Sequence, residues 1–382
     1  MKLRSLTLAL LTLAAAQVFA GSVSIAEPAA DKPASIYDKL WSLATVYKNP
    51  ENPLIEEISF FGRAHTNWAA VESNKGDWSD WEERRLRAGV RVKFLNDFDL
   101  KVETRYIAQG RSAYTGLTEA SITWNADNAF RLTVGKQLPR FTLEGSISAN
   151  ELITVERSFL ANTFWFGEEN FSTGISATGD IGNWHYYVAT LSGESNKDFG
   201  KLNAGFYTVA SLGYDFASAL HVDRALLQLD YIYNNGDSGN FVPKPFNHTV
   251  SLSFDGRSGR YGFQTNVVGA SGLGKQPDAW GFILMPTYSL TPKLELVARY
   301  TYLDGNGPSA FRPQRRYENE VAGINGTRGD GYQAGYLGLN YYIYGHKLKL
   351  QTGIEYSHMS DSTGGNGSFN AWSYISGFRF SF

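Results

Sequence analysis

The chain contains no cysteine, so neither disulfides nor thiolate chemistry can hold it together or give it a reaction. It has only 3 methionines and 6 histidines, and His65, His185, His221, His248, His346 and His358 are too dispersed to suggest a metal cluster. Gly-x-Ser-x-Gly, His-Glu-x-x-His and a phosphate-cradling glycine loop are missing, which leaves an enzyme little to work with and implies no cofactor. Beyond the N-terminus no stretch approaches the roughly 18 consecutive apolar residues of a membrane helix, so a helical inner-membrane protein is excluded. Net charge is also scarce. Lys+Arg total 35 against 37 Asp+Glu, a balance of −2 that points to no nucleic-acid partner.

Glycine and aromatic residues are plentiful: 39 Gly, 22 Tyr and 24 Phe. They suit strands, tight turns and interfacial girdles. The first residues have the form of a secretory signal, with Lys2 and Arg4, an apolar run from Leu6 to Ala16, and Val18-Phe19-Ala20 as a small-x-small cleavage site. The expected organisation is a signal peptide over 1–20, a periplasmic segment over 21–56 and a barrel over 57–382. Within the second part, Ser35–Tyr47 places Ile36, Leu40, Leu43 and Tyr47 on one stripe of a short helix, stopped by Pro50 and Pro53.

The last strand shows the governing pattern. Trp372, Tyr374, Phe378, Phe380 and Phe382 fall on one face, and Ser373, Arg379 and Ser381 on the other. A period of two with large apolar groups on one side and charge on the other describes a wall between two solvents. The pattern recurs. Leu348, Leu350, Ile354 and Tyr356 oppose Lys347, Lys349, Gln351 and Glu355; Leu294, Leu296, Ala298 and Tyr300 oppose Lys293, Glu295 and Arg299. Charges in a dry core are costly, and a wetted lumen removes that cost. About sixteen such segments are expected, joined alternately by tight turns (Asn96-Asp97, Gly345) and longer links (Asn67–Trp81, Leu138–Glu169, Asp304–Asp330). That parity predicts an all-β, antiparallel transmembrane barrel with short periplasmic turns and long external loops.

Candidate functional residues follow from inward parity. The second strand, Glu82–Leu95, turns Leu86, Ala88, Val90, Val92 and Phe94 outward and Arg85, Arg87, Arg91 and Lys93 inward. Arg63, Lys101, Arg105 and Arg131 follow on neighbouring strands, and closure of the ring would add Arg379, Lys347 and Lys349, giving one basic strip interrupted by Glu103 and Glu355. The loop Leu138–Glu169 holds Glu144, Glu151, Glu156, Glu168 and Glu169 against Arg140 and Arg157, together with Phe141, Leu152, Ile153, Phe159 and Phe164. So many apolar residues are wasteful in a solvated loop, so it is expected to fold inward as a constriction. Its carboxylates would then face the wall guanidiniums across a transverse field. Arg312, Arg315, Arg316 and Arg328 could form an external basic vestibule, and Tyr341, Tyr342 and Tyr344 an interfacial girdle.

Several stretches resemble the phosphate-selective porin O and P family of outer-membrane channels. They are Ile36-Tyr37-Asp38-Lys39-Leu40-Trp41 leading to Phe61-Gly62-Arg63, the Arg-rich second strand, Val134-Gly135-Lys136 followed by Glu156-Arg157-Ser158, and Leu339-Asn340-Tyr341-Tyr342 with the terminal Phe382. The resemblance implies a sixteen-stranded homotrimeric porin with an inward-folded third loop and anion passage along arginines and lysines. It also implies that the terminal aromatic is read by the barrel-assembly machinery. The family's phosphate selectivity goes with a dense basic cluster, whereas the third loop here is net acidic. The expected function is passive diffusion of small hydrophilic solutes across the outer membrane, among lipid and lipopolysaccharide, with anions favoured by the strip and phosphate implied by the resemblance alone. The alternatives are a carbohydrate-selective channel and a structural or adhesive barrel.

Overall fold

The computed structural model describes residues 35–106, 114–165, 171–194, 196–201, 205–236, 245–314 and 316–382. The expected signal peptide, Glu168, Glu169 and Arg315 lie outside them. The chain divides at Leu40 into a first unit, 1–40, and a second unit, Trp41–Phe382, that carries the barrel.

A helix, α1 (Ile36–Ser42), is shorter than the stripe predicts, because Thr45–Lys48 forms a strand, β1. Thr45, Val46 and Tyr47 are β-branched or aromatic and favour extended backbone. The barrel strands are β2 (Ile55–Ser73), β3 (Gly76–Phe94), β4 (Phe98–Tyr106), β5 (Gly116–Asn125), β6 (Arg131–Gln137), β7 (Ser172–Ile181), β8 (Trp184–Ser192) and β9 (Phe206–Asp215). They continue with β10 (Arg224–Asn234), β11 (Phe246–Ser258), β12 (Tyr261–Gly272), β13 (Ala279–Thr291), β14 (Leu294–Gly305), β15 (Gly331–Tyr344), β16 (Leu348–Ser360) and β17 (Phe369–Ser381). Each pairs antiparallel with the next, and β17 pairs with β2, so the sixteen strands close into a ring.

The seam is sealed from both termini of the barrel unit. Phe382 exchanges backbone hydrogen bonds with Gly62 (3.0 and 3.1 Å), and β1 then takes over the same edge of β2, with Thr45 opposite Ser59 and Lys48 opposite Glu57. The Trp41 indole donates to the Ser381 carbonyl at 2.6 Å.

The two faces divide as alternation requires. On β17, Trp372, Tyr374 and Phe378 are exposed outward while Ser373, Ile375 and Arg379 are buried inside. Two expectations about strands need correction. Asn67–Trp81 is not a long link. It is the upper part of a β2–β3 hairpin turned at Asn74-Lys75, with Ser73 opposite Gly76. Its inward residues Ala69 and Val71 are buried, and Trp78 stacks on Tyr317, 5.6 Å between centroids. Apolar packing beneath it therefore keeps the segment extended. Tyr342 is no girdle residue. It lies on the face opposite Tyr341 and donates to Glu295 at 2.6 Å inside the barrel, whereas Tyr341 is exposed. Lys347 sits in the β15–β16 turn, opened by Gly345 at φ +52, and is exposed.

Candidate functional site

The loop between β6 and β7 folds into the barrel, as its apolar content predicts. It contains α2 (Leu143–Ser146) and α3 (Phe159–Phe164); Thr142 caps α2 and Ser158 caps α3 through side-chain oxygens. Phe141, Phe159, Leu160, Phe164 and Trp165 are buried against inward apolar residues of the wall, among them Val209, Ile232, Val268, Ile283 and Val297. One sector of the barrel interior is thus packed like the core of a soluble protein, and the hydrophobic effect holds the loop there.

Polar wall residues fix the rest of the loop. Arg299 on β14 reaches Glu144 (3.2 Å), the Thr154 hydroxyl (3.2 Å) and the Glu156 carbonyl (3.0 Å), and it also pairs with Glu355 (2.9 Å). Lys349 and Gln351 on β16 donate to the Leu152 carbonyl at 2.6 and 3.0 Å; Asn340 on β15 donates to that of Ile153 at 2.7 Å. The Asp230 carboxylate receives the Thr142 N–H and Asn266 receives that of Leu143. Tyr336 lies across paired Gly338 and Gly353, where any Cβ would come within 2.4 Å of its ring or hydroxyl, and its hydroxyl accepts the Val155 N–H at 3.4 Å. Those two glycines let the tyrosine lie flat on the wall.

The basic residues of the expected strip divide into two groups by their contacts. Closure aligns Lys349, Arg379, His65 and Arg85 across β16, β17, β2 and β3. Arg379 donates to the Asn67 side chain (2.7 Å) and to the Val155 carbonyl (2.9 Å), and Arg85 stands 3.6 Å from Glu156 and 3.3 Å from His65. These residues lie beneath the loop.

The other members face open space or wall carboxylates. Arg63 and Arg87 share Glu103 at 3.3 and 3.4 Å; Lys101 pairs with Glu119 (2.6 Å), Arg131 with Asp180 (2.7 Å) and Arg91 with Asp99 (3.1 Å). Arg105 contacts the Thr115 hydroxyl at 3.1 Å, and Lys93 is registered opposite Asp99 near the β3–β4 turn.

The loop charges need a correction. Glu144 and Glu156 do not face guanidiniums across a gap. They touch Arg299 and Arg84 directly, so they neutralise the wall instead of polarising a channel. Burial alone would raise the Glu156 carboxyl, but Arg84 and Arg85 hold it well below the usual carboxylate range. Arg157 is turned into its own loop, donating to the Glu144 and Ile147 carbonyls at 2.8 Å, with its guanidinium over the Trp165 ring; burial lowers it to about 9. Arg140 and Glu151 are exposed, with Arg140 over the Tyr187 ring at 5.6 Å.

Sequence parity misses Arg84, which alternation assigns to the lipid side. In the register His65 opposes Arg85 and Thr66 opposes Glu83, so Arg84 is the extra residue of a bulge and turns inward. No signal in one sequence marks that bulge. Arg299 was legible as inward, but its partners were not.

The external loop 306–330 is packed and not a solvated basic vestibule. Phe311, Tyr317, Val321 and Ile324 are buried, and Phe311 meets Phe159 edge-on at 6.1 Å. Arg316 pairs with Glu82, Arg328 donates to the Ser309 carbonyl, and Arg312 is exposed. Glu318 is buried here and accepts from the Tyr332 hydroxyl (2.7 Å) and the Gln314 N–H (3.0 Å); burial, with Glu355 nearby, pushes its carboxyl up to about 7.

Three adjoining cavities of about 490, 280 and 360 Å³ remain around the loop's Ser146–Glu151 tip. The first is bounded by Arg63, Arg87, Lys101, Arg140 and Arg157 and by Glu103, Glu119 and Glu151. The second takes in Arg131, Asp180 and His185, and the third Arg257, Glu295 and His346. Among the described residues no group of His, Asp or Glu is arranged to hold a metal.

A closed barrel with lipid-compatible outer aromatics, a polar inner wall and a folded-in loop defines an outer-membrane porin-type channel for small solutes. The family model for phosphate-selective porin O and P matches residues 60–270, more than half of the chain, and the chain belongs to that family. It is similar in fold to the outer membrane channel DcaP of Acinetobacter baumannii, at 13% identity and a TM-score of 0.57 over 87% of this chain and 99% of that one. It is also similar to Salmonella typhi OmpF in complex with daunomycin (11% identity, TM-score 0.58, 88% and 100% covered). A mutant of the Rh. blastica porin gives 14% identity and a TM-score of 0.53, with 85% and 100% covered. No curated protein matches the sequence.

Proposed function

We propose that the protein is a passive diffusion channel for small hydrophilic solutes that favours anions, phosphate among them. The loop between β6 and β7 sieves by size, and the open part of the basic wall focuses anions beside it. The supporting observation is the charge around the first of these cavities: Arg63, Arg87, Lys101, Arg140 and Arg157 against Glu103, Glu119 and Glu151. Five cations to three carboxylates leave an excess of two positive charges where water is confined and fields are strong. Arg91, Lys93, Arg105 and Arg131 continue the basic wall beyond this cavity, with Arg91 and Arg131 paired to Asp99 and Asp180. We read residues 1–20 as the export signal, 21–56 as a periplasmic segment and 57–382 as the barrel. We further read the assembly as a homotrimer in outer-membrane lipid and lipopolysaccharide, with Phe382 as the aromatic read by the barrel-assembly machinery.

The carbohydrate reading has less support. Trp165 and Tyr187, aromatic residues at the cavity, lie under the guanidiniums of Arg157 and Arg140 and are buried. Recordings of the refolded protein in planar lipid under a salt gradient test the proposal. Conductance steps with a reversal potential on the anion side are expected. An absence of steps refutes the channel, and current blocked by maltodextrins but not by phosphate would favour the carbohydrate alternative.

A further inference from the structure

We propose that Arg84, turned inward by the β3 bulge, is the positioning residue that fixes the register of the constriction loop on the wall through Glu156, and so fixes the cross-section of the channel. This rests on the reading of that loop as the constriction.

The register of the loop depends on which of its atoms the wall holds. Segment Leu152–Glu156 lies along β14–β17 and the β2–β3 hairpin. Most of its wall contacts end on backbone carbonyls: Leu152 to Lys349 and Gln351, Ile153 to Asn340, Val155 to Arg379 and Glu156 to Arg299. Every residue of the segment carries a carbonyl, so a row of wall donors can donate to a shifted set of them as well as to the native one. Such contacts give affinity without register.

Side-chain contacts break that degeneracy. Among the described residues of this segment Ile153 and Val155 pack in the apolar cluster, and the polar side-chain contacts are the Thr154 hydroxyl, held by Arg299, and the Glu156 carboxylate. Arg84 grips Glu156 with two parallel bonds, Nε to Oε1 at 2.8 Å and Nη2 to Oε2 at 3.0 Å. Asn67 adds a bond to Oε1 at 2.9 Å. The other two guanidiniums nearby stand farther off, Arg85 at 3.6 Å and Arg379 at 4.0 Å, and both are engaged elsewhere. A planar fork on a carboxylate specifies direction as well as distance. It exists because one extra residue in β3 brings Arg84 and Arg85 to the same face, with side chains 9% and 2% exposed. The same site reaches the external loop, since Asn67 also bonds the Tyr317 hydroxyl.

A loop held in one register gives one conductance level, and a loop free to slide gives at least two. Single-channel recordings of wild type, Arg84→Gln, Glu156→Gln and Arg84→Lys separate positioning from simple charge. The two glutamine variants change local charge in opposite senses, so their reversal potentials should move oppositely. If Arg84 positions the loop, both should nevertheless gain the same second conductance level. Its occupancy should rise at least about tenfold, which corresponds to about 1.4 kcal/mol of lost latch energy. Arg84→Lys keeps the charge but loses the fork, and should show the second level at intermediate occupancy. Heat-modifiable migration in detergent gels checks that each barrel is folded. Conductance that follows only the sign of the charge, or a single unchanged level in both glutamine variants, overturns the proposal. If those variants do not fold, a single wild-type level in Arg84→Lys overturns it. A silent wild type would instead sink the channel reading itself.

Discussion

On β14–β17 and the upper β2–β3 hairpin, inward cations end on atoms of the constriction loop. On the lower part of β3 and on β4 and β6, Arg87, Arg91, Lys101 and Arg131 end on neighbouring carboxylates. Arg299 is 4% exposed and divides its donors among Glu144, Glu355, Thr154 and a carbonyl. Arg131 is about a third exposed and holds one carboxylate, Asp180. The first kind of residue is structural, because a buried guanidinium must have its donors met. The second kind, where it is part-exposed as in Arg91, Lys101 and Arg131, can exchange its partner for water or mobile ions. An arginine on the inner wall therefore acts on loop geometry or on permeation according to whether the loop covers it.

The comparison breaks most visibly through stability. Arg299→Leu leaves Glu144 and Glu355 buried without their cation, and the barrel should lose about 3–5 kcal/mol in urea unfolding from lipid vesicles. A loss below 1 kcal/mol would mean that the covered wall is not holding the loop.

A smaller effect is expected from pH. Glu318 sits in the packed external loop with a carboxyl raised to about 7 from an ordinary 4.5. The packed state therefore binds a proton that the released state gives up. Packing is firmest below pH 4.5 and weakens as pH rises through 7, by about 3 kcal/mol in all. Hydrogen-exchange protection around 311–324, after correction for the base-catalysed intrinsic rate, should fall between pH 5 and 8, and Glu318→Gln should abolish that fall. Glu156, held charged by Arg84 and Arg85, should contribute nothing over that interval. Corrected protection that ignores pH would remove Glu318 from the account.

The smallest effect belongs to the open wall. Arg131→Gln removes a part-exposed pair and should cost less than about 1 kcal/mol of stability. A cost comparable to that of Arg299→Leu would erase the distinction between the two walls.

Much of this was legible before any coordinates. Alternation along His346–His358 and Asn370–Phe382 gave the closed barrel and the inward position of Arg379, because a period of two is a local property of the chain. The inward fold of 138–169 was readable from Phe141, Phe159 and Phe164, since apolar groups in so long a loop need a wall to cover. What escaped depends on register and partners. Arg84 needs a one-residue bulge, which alternation cannot see. The hairpin over 67–81 was read as a loop because Asn74-Lys75 is a short turn between polar residues. Glu144 and Glu156 were legible as loop carboxylates, but whether they face a cation across water or touch one depends on a fold-back of more than eighty residues along the chain, such as the step from Asn67 to Glu156.

The most direct test of the two-wall account is the reversal potential of single channels in a potassium chloride gradient. The account predicts that Arg63→Glu, Arg87→Glu and Arg140→Glu together move it toward cation preference, while Lys349→Gln on the covered wall leaves its sign unchanged. A triple variant that retains the wild-type reversal potential, or a Lys349→Gln channel that reverses its preference, would contradict it.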